Sequence, residues 1–247
     1  MKTVVAISDL QVPYHHKRAV AALSGFIQDW QPDDVICVGD EIDLPQVSRW
    51  TEGTKGEYAG RVHKDRDETA RILEGLGVRH VMRSNHGERL WNYITRKAPA
   101  LADEPELQYE RYMRFEDIGI TYHRKMYEFA PGWLLAHGDE LGHSNIAGTT
   151  AARLAKSTGK SIVCGHTHRA GLQPFSEAHG GKVNRTLFGV EVGNLMDMGK
   201  AGYLKSGGAN WQTAFGIFYV DGRKVSPHIV YMRPDGSFVW EGKEWAA

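Results

Sequence analysis

Nine polar residues fall in five short clusters along the 247-residue chain: Asp9 with Gln11, Asp40 with Asp43, Asn85 with His86, His137 alone, and His166 with His168. Carboxylate, amide oxygen and imidazole donors without a thiolate suit Mn, Fe, Zn or Ni, and not an iron–sulfur cluster or a structural zinc site. His166 and His168 flank Thr167. On an extended chain their rings fall on one side, and Gly165 before them permits an unusual turn or a close backbone approach. A carboxylate placed as Asp40 is can bridge two cations. Two divalent ions about 3.5–4 Å apart clamp a phosphoryl oxygen and acidify a bridging water, the chemistry of phosphoester hydrolysis.

Each cluster lies just past an apolar run, which sets what the rest of the chain must do. Residues 3–8, 35–38, 78–82, 133–136 and 161–164 read as strands, and residues 17–30 carry Val20, Leu23, Ile27 and Trp30 at helical spacing. Residues 60–76 read as a solvent-facing helix closed by Gly77, and residues 147–156 as a short one. This alternation argues for an α/β core with crossover connections. In such sheets ligands sit at the carboxyl ends of the strands, so five strand ends meet in one place. Residues 118–129 predict one or two antiparallel strands, and the later runs 187–192, 214–220 and 228–232 predict a second sheet. The absence of repeats and of Gly-, Pro- or Ser-rich linkers favours a single domain over 1–247. Residues 93–127, dense in charge and aromatics, are a candidate cap or contact insertion.

Composition narrows the function classes. Thirty basic residues balance thirty acidic ones, which removes a whole-chain electrostatic case for a DNA or membrane-surface binder. A mean hydropathy of −0.44 and no apolar run near the roughly 20 residues of a spanning helix exclude a membrane protein of that kind. The first seven residues are too short an apolar stretch for a signal peptide and read as a strand. Two cysteines, Cys37 and Cys164, form no disulfide framework and read as small core hydrophobes, consistent with a cytoplasmic protein. Singly, every polar residue above has a plainer role: a turn cap for Asp40 or Asn85, a surface histidine for His137. Their joint occurrence, in order and after strands, is what argues for a site. His15, His16, His63, His143 and His179 carry no assignment.

Asp9-x-Gln11, Gly39-Asp40-x-x-Asp43, Asn85-His86, His137-Gly138-Asp139 and Gly165-His166-Thr167-His168 together resemble the calcineurin-like metallophosphoesterases, across about two-thirds of the chain. The runs Asn85-His86-Gly87-Glu88-Arg89-Leu90 and Ala98-Pro99-Ala100-Leu101 resemble the small phage-encoded members in particular; for such a member the compartment is the host cytoplasm. The resemblance implies a four-layer αββα sandwich of two mixed β-sheets flanked by helices, with two divalent metal ions, Mn²⁺ first among them and Fe, Zn or Ni as alternatives. One ion takes Asp9, Asp40 and His168; the other takes Asp40, Asn85, His137 and His166. His86 is the implied general acid and Asp43 the carboxylate that orients it.

The departures are informative. Gln11 stands where the family usually has histidine, and a neutral amide oxygen is the weaker ligand, so the first ion is expected to be held more loosely. Gly87 replaces an acidic residue and Ser84 a glycine. Leu44 follows Asp43 where the protein Ser/Thr phosphatases carry a phosphate-gripping arginine, which argues against a phosphoprotein substrate. Arg89 and Arg169 are candidate substrate-phosphate ligands. The expected activity is a metal-dependent phosphodiesterase on small diesters such as cyclic nucleotides, 2′,3′-cyclic ones included. The alternatives are a nuclease or nucleic-acid end-processing enzyme, and a degenerate, non-catalytic binding member.

Overall fold

The computed structural model describes residues 1–58, 60–201 and 209–247. Its elements run β1 (Lys2–Ile7), α1 (Lys17–Trp30), β2 (Asp34–Cys37), α2 (Val62–Gly75), β3 (His80–Met82), α3 (Glu88–Lys97), α4 (Tyr109–Tyr112), β4 (Thr121–His123), β5 (Tyr127–Ala130), β6 (Trp133–Leu135), α5 (Thr149–Thr158), β7 (Ser161–Cys164), β8 (Ala170–His179), β9 (Lys182–Val192), β10 (Ala214–Asp221), β11 (Lys224–Tyr231), β12 (Phe238–Trp240) and β13 (Lys243–Trp245). One sheet has the order β11-β10-β1-β2-β3-β4 and the other β5-β6-β7-β9-β8, with β12 and β13 forming a separate hairpin.

Side-chain alternation builds the layers. Along β1, Val5 and Ile7 join a core with Leu23, Phe26 and Ile27 of α1 and Ile72 and Leu73 of α2, while Val4 and Ala6 face the other sheet. In β2, Val35 and Cys37 likewise turn to the helices and Ile36 faces the other sheet. A strand buried on both faces reads as the unbroken apolar run seen in the sequence. From the second sheet, Trp133, Leu135, Val163, Val190 and Val192 meet that inner face. On its outer side Ile162, Cys164 and Leu187 pack on Ala151, Leu154 and Ala155 of α5. The result is the four-layer αββα sandwich of two mixed sheets expected from the sequence.

Three expectations are corrected. The 118–129 stretch does form two strands, but they do not pair: β4 runs parallel to β3 in the first sheet and β5 antiparallel to β6 in the second. The runs near 214–220 and 228–232 are β10 and β11, which extend the first sheet on the free edge of β1. Only β9 belongs to the second sheet, paired with β8 (Ala170–His179), a strand the sequence reading left out. Pairing partner is a tertiary choice that no local run of residues specifies. The 93–127 stretch supplies Ile94, Tyr109, Met113, Phe115 and Ile120 to the helix-side core and β4 to the sheet edge.

Candidate metal centre

β1, β2 and β3 are mutually parallel, as are β6 and β7, so their carboxyl ends point to one edge of the sandwich. Past the strands the loops stay zipped: Asp9 N–H donates to the Gly39 carbonyl (3.1 Å), Gln11 N–H to that of Asp40 (2.9 Å) and Gly165 N–H to that of His137 (2.9 Å). Two glycines make the packing feasible. A Cβ on Gly39 would stand 2.6 Å from His137 Nδ1, and one on Gly165 would stand 1.7 Å from Ser8 Oγ. Asp9, Gln11, Asp40, His166 and His168 all have positive φ. Such backbone persists where surrounding contacts over-determine it, and it concentrates at functional sites.

Asp40, His137 and His166 each offer a donor atom, all within 4.8 Å of one another. Among the described residues they are the group of three His, Cys, Asp or Glu side chains arranged this way. His137 is fixed by the bond from its Nδ1–H to the Val38 carbonyl (2.8 Å). Its Nε2 therefore faces Asn85 Oδ1 at 2.8 Å and Asp40 Oδ2 at 3.4 Å. A ring nitrogen facing two oxygens calls for positive charge between them, a proton or a cation. The electrostatics agree. Burial opposes charging His137, yet the Asp40 carboxylate beside it raises it to about 10. Burial likewise works against charged Asp40, but His137, His86 and His166 hold its carboxyl well below the usual carboxylate range. His166 is lowered by burial and by the charge of His137. The donor set fits a divalent transition ion.

The other half is arranged differently. Asp9 Oδ2 accepts from Ser8 Oγ–H (2.6 Å) and from His166 N–H (2.9 Å), and its Oδ1 lies 3.0 Å from His168 Nε2. Gln11 is buried, with its amide nitrogen 2.9 Å from the same His168 Nε2. Its carbonyl oxygen is buried and has no hydrogen-bond partner among the described residues. The expectation that His166 and His168 project together from an extended segment is also corrected. Both sit in left-handed backbone (φ 65° and 58°), because the loop turns there, and the rings separate. His166 packs 4.9 Å from the His137 ring, whereas His168 goes to Asp9 and Gln11.

His86 stands beside the cluster, its Nε2 3.7 Å from Asp40 Oδ2 and its Nδ1 3.0 Å from Asp43 Oδ1. α3 begins two residues later and brings Arg89 back over the ring, with Nη2 2.9 Å from His86 Nε2 and Nη1 3.1 Å from Asp43 Oδ1. A guanidinium can only donate, so it meets the Nε2 lone pair, while His86 Nδ1 lies close to Asp43 without a hydrogen-bond partner among the described residues. Arg169 is 9% exposed and bonded to Asn145 Oδ1 (3.1 Å). Gln11, Asp40, Asp43, Asn85, His86, Arg89, His166, His168 and Arg169 line one cleft of about 960 Å³ that also holds Tyr14, Trp50, His143, Lys200 and Trp211.

The Gene 54 protein of Mycobacterium phage D29 is 38% identical over 253 residues, spanning 99% of this chain and 98% of that protein. The Gene 54 protein of Mycobacterium phage L5 matches to the same extent. Vacuolar protein sorting 29 from Cryptosporidium parvum superposes with a TM-score of 0.51 at 14% identity, over 100% of this chain and 95% of that one. This chain belongs to the phage Gene 54 family and has the calcineurin-like metallophosphoesterase fold. No protein-family model matches it.

Within this metallophosphoesterase fold, several positioning residues escaped the sequence reading. Arg83 donates to both Asp139 oxygens (2.6 and 2.8 Å) and to Glu88 (2.7 Å), tying the Asn85 loop of one sheet to the His137 loop of the other. Glu140 accepts from His137 N–H (3.0 Å) and Gly138 N–H (2.8 Å). Glu191 is buried; it accepts from Thr150 N–H (2.8 Å) and from Thr167 Oγ1–H (2.7 Å), holding the His166–His168 loop. Glu41, next to Asp40, is raised to about 7, chiefly by burial, and accepts from the Tyr109 hydroxyl. The Arg83–Asp139 tie had a signal in the His137-Gly138-Asp139 motif; the others had none.

Proposed function

We propose that this chain is a metal-dependent phosphodiesterase that hydrolyses small phosphodiesters such as cyclic nucleotides, 2′,3′-cyclic ones included. The supporting observation is the convergence of Asp40, His137 and His166 within 4.8 Å, with Asn85 on the same ring nitrogen and the His86–Asp43 pair alongside. Asp40, Asn85, His137 and His166 hold one divalent ion, and Asp9, Asp40 and His168 hold a second, with Gln11 beside it and Mn²⁺ the favoured metal. Bound there, divalent ions supply Lewis-acid charge at the phosphoryl oxygens and acidify a water.

The protein's own groups do the rest. The Val38 carbonyl keeps the His137 ring from turning and Glu140 holds its backbone N–H, so its Nε2 stays aimed at the reaction centre. Arg89 holds a non-bridging phosphate oxygen through a charge-assisted hydrogen bond, a better partner than the neutral imidazole it rests on. Once Arg89 shifts to phosphate, His86 Nε2 is free to take up a proton from solvent, with Asp43 beside the opposite nitrogen. That proton passes from Nε2 to the leaving oxygen. No helix of the described residues is long and apolar enough to cross a membrane, and the phage relatives support action in the host cytoplasm. The test is turnover of a chromogenic phosphodiester against its matching monoester, with and without Mn²⁺. Metal-dependent turnover with diester exceeding monoester is expected; no turnover of either by folded, metal-loaded protein overturns the reading.

A further inference from the structure

The catalytic groups occupy only the floor of the cleft. Its rim carries Trp50, which is 74% exposed, an extreme value for the residue type with the largest apolar surface to bury. The Arg49 guanidinium lies over one face of that indole, 4.6 Å from the ring centroid. Elsewhere on the lining Trp211 stands 4.3 Å from the His168 ring, and Tyr14 and His143 add further rings. Arg89, Arg169 and Lys200 line the same space, and the Arg169 Nε–H is buried without an acceptor among the described residues. At about 960 Å³ the cleft is at the upper end of the ~300–1,000 Å³ range of small-molecule sites, far more than one phosphate needs.

We infer that Trp50 forms a nucleobase subsite, so that the diester cleaved at the floor is a nucleotide whose unpaired base stacks on the indole. This rests on the phosphodiesterase reading above for the identity of the floor. A flat π-face offered to solvent beside cationic groups that match phosphate is the pairing used to hold unpaired nucleotides, and every base can stack on it. A base inside a duplex is already stacked on its neighbours, so the ligand is a cyclic nucleotide or a single strand. Its polar partners are Arg89, Arg169 and Lys200, which explains how a chain of zero net charge can still hold an anion locally.

Calorimetric titration with Ca²⁺ in place of Mn²⁺ tests this with two matched pairs. One is a nucleoside 2′,3′-cyclic phosphate against ribose 2′,3′-cyclic phosphate; the other is a short single strand against its abasic counterpart of equal charge. In at least one pair the ligand bearing bases should bind about tenfold more tightly. Trp50→Ala should erase that ratio, whereas Trp91→Ala, an exposed tryptophan on α3 outside the cleft, should preserve it. The pair with the larger ratio distinguishes nucleotide from strand. Equal binding within both pairs, or a ratio that survives Trp50→Ala, overturns the subsite. Hydrolysis of a chromogenic diester with Mn²⁺ is scored separately. Turnover without base discrimination sinks the subsite alone; base discrimination without turnover sinks the phosphodiesterase reading and leaves the subsite standing.

Discussion

The two halves of the candidate metal centre are built from similar residues and are arranged differently. Around Asp40, the His137 ring is locked from behind by the Val38 carbonyl, and its other nitrogen faces Asn85 Oδ1 and Asp40 Oδ2. Around Asp9, the carboxylate already accepts two hydrogen bonds and the Gln11 amide rests on the His168 ring. The first half is braced by its hydrogen bonds, whereas the second leaves Asp9 Oδ1, Gln11 Oε1 and His168 Nδ1 buried without hydrogen-bond partners among the described residues. Metal affinity depends on how well the ligands are held and how much competing bonding must be given up, and not on ligand count alone. On the proposed two-ion reading the site would therefore be asymmetric, with the ion at Asp40, Asn85, His137 and His166 held more tightly than the one at Asp9 and His168.

That asymmetry can be broken outright. His137→Ala removes the locked ligand and should lower Mn²⁺-dependent diester turnover by at least about 10³-fold, with loss of one equivalent of tightly bound metal by elemental analysis. A retained equivalent would place the tight ion elsewhere. Next in size, Asp43→Asn should reduce turnover of a natural diester by roughly 10²-fold while sparing a substrate whose leaving group needs no proton. Equal losses on both would remove His86 from the acid role. Gln11→His sharpens the comparison from the weak side. It should lower the Mn²⁺ concentration for half-activation about tenfold, and an unchanged titration would mean that Gln11 does not limit the second ion. Arg83→Ala, which cuts the tie between the Asn85 and His137 loops, should weaken the tight ion by about the same factor or less, read by competition with a chelating dye.

The smallest effect lies away from the cleft. His80 Nδ1 sits 3.0 Å from His123 Nε2, and Tyr127 stacks 4.0 Å from the His123 ring. Burial lowers both histidines from 6.5; nearby Asp34 opposes this for His80, Lys2 and Arg79 add to it, and His80 adds to it for His123. A base whose folded value is depressed takes up more protons when unfolded. This contribution to stability is present above about pH 6.5, falls as the pH drops below that value, and levels off beneath the folded values. The urea midpoint should decline modestly between pH 7.5 and 5.5. His123→Phe, which keeps the stack on Tyr127, should flatten the decline; an unchanged slope would locate the proton uptake elsewhere.

Much of this protein is written locally. The run of residues 17–30 is α1 to the residue, and Ser161–Cys164 is β7, because an apolar stripe at helical spacing and a short unbroken apolar run have few other uses. The identity of the donor groups, and their positions just past strands, are likewise chain-local facts. Cys37 and Cys164 are buried and free, as small hydrophobes at strand ends should be. What the chain did not announce is which strands pair. β4 and β5 follow one another yet join different sheets, and β10 crosses back to β1, because edge selection depends on surfaces that exist only after collapse. The divergence of His166 and His168, the His137–Val38 bond and the Arg83–Asp139 tie are decided at the same level. Each joins residues 56 to 157 positions apart or a left-handed turn held by such contacts. A sequence can specify which ligands a site has; their aim is set by the backbone carbonyls and carboxylates that folding brings up behind them.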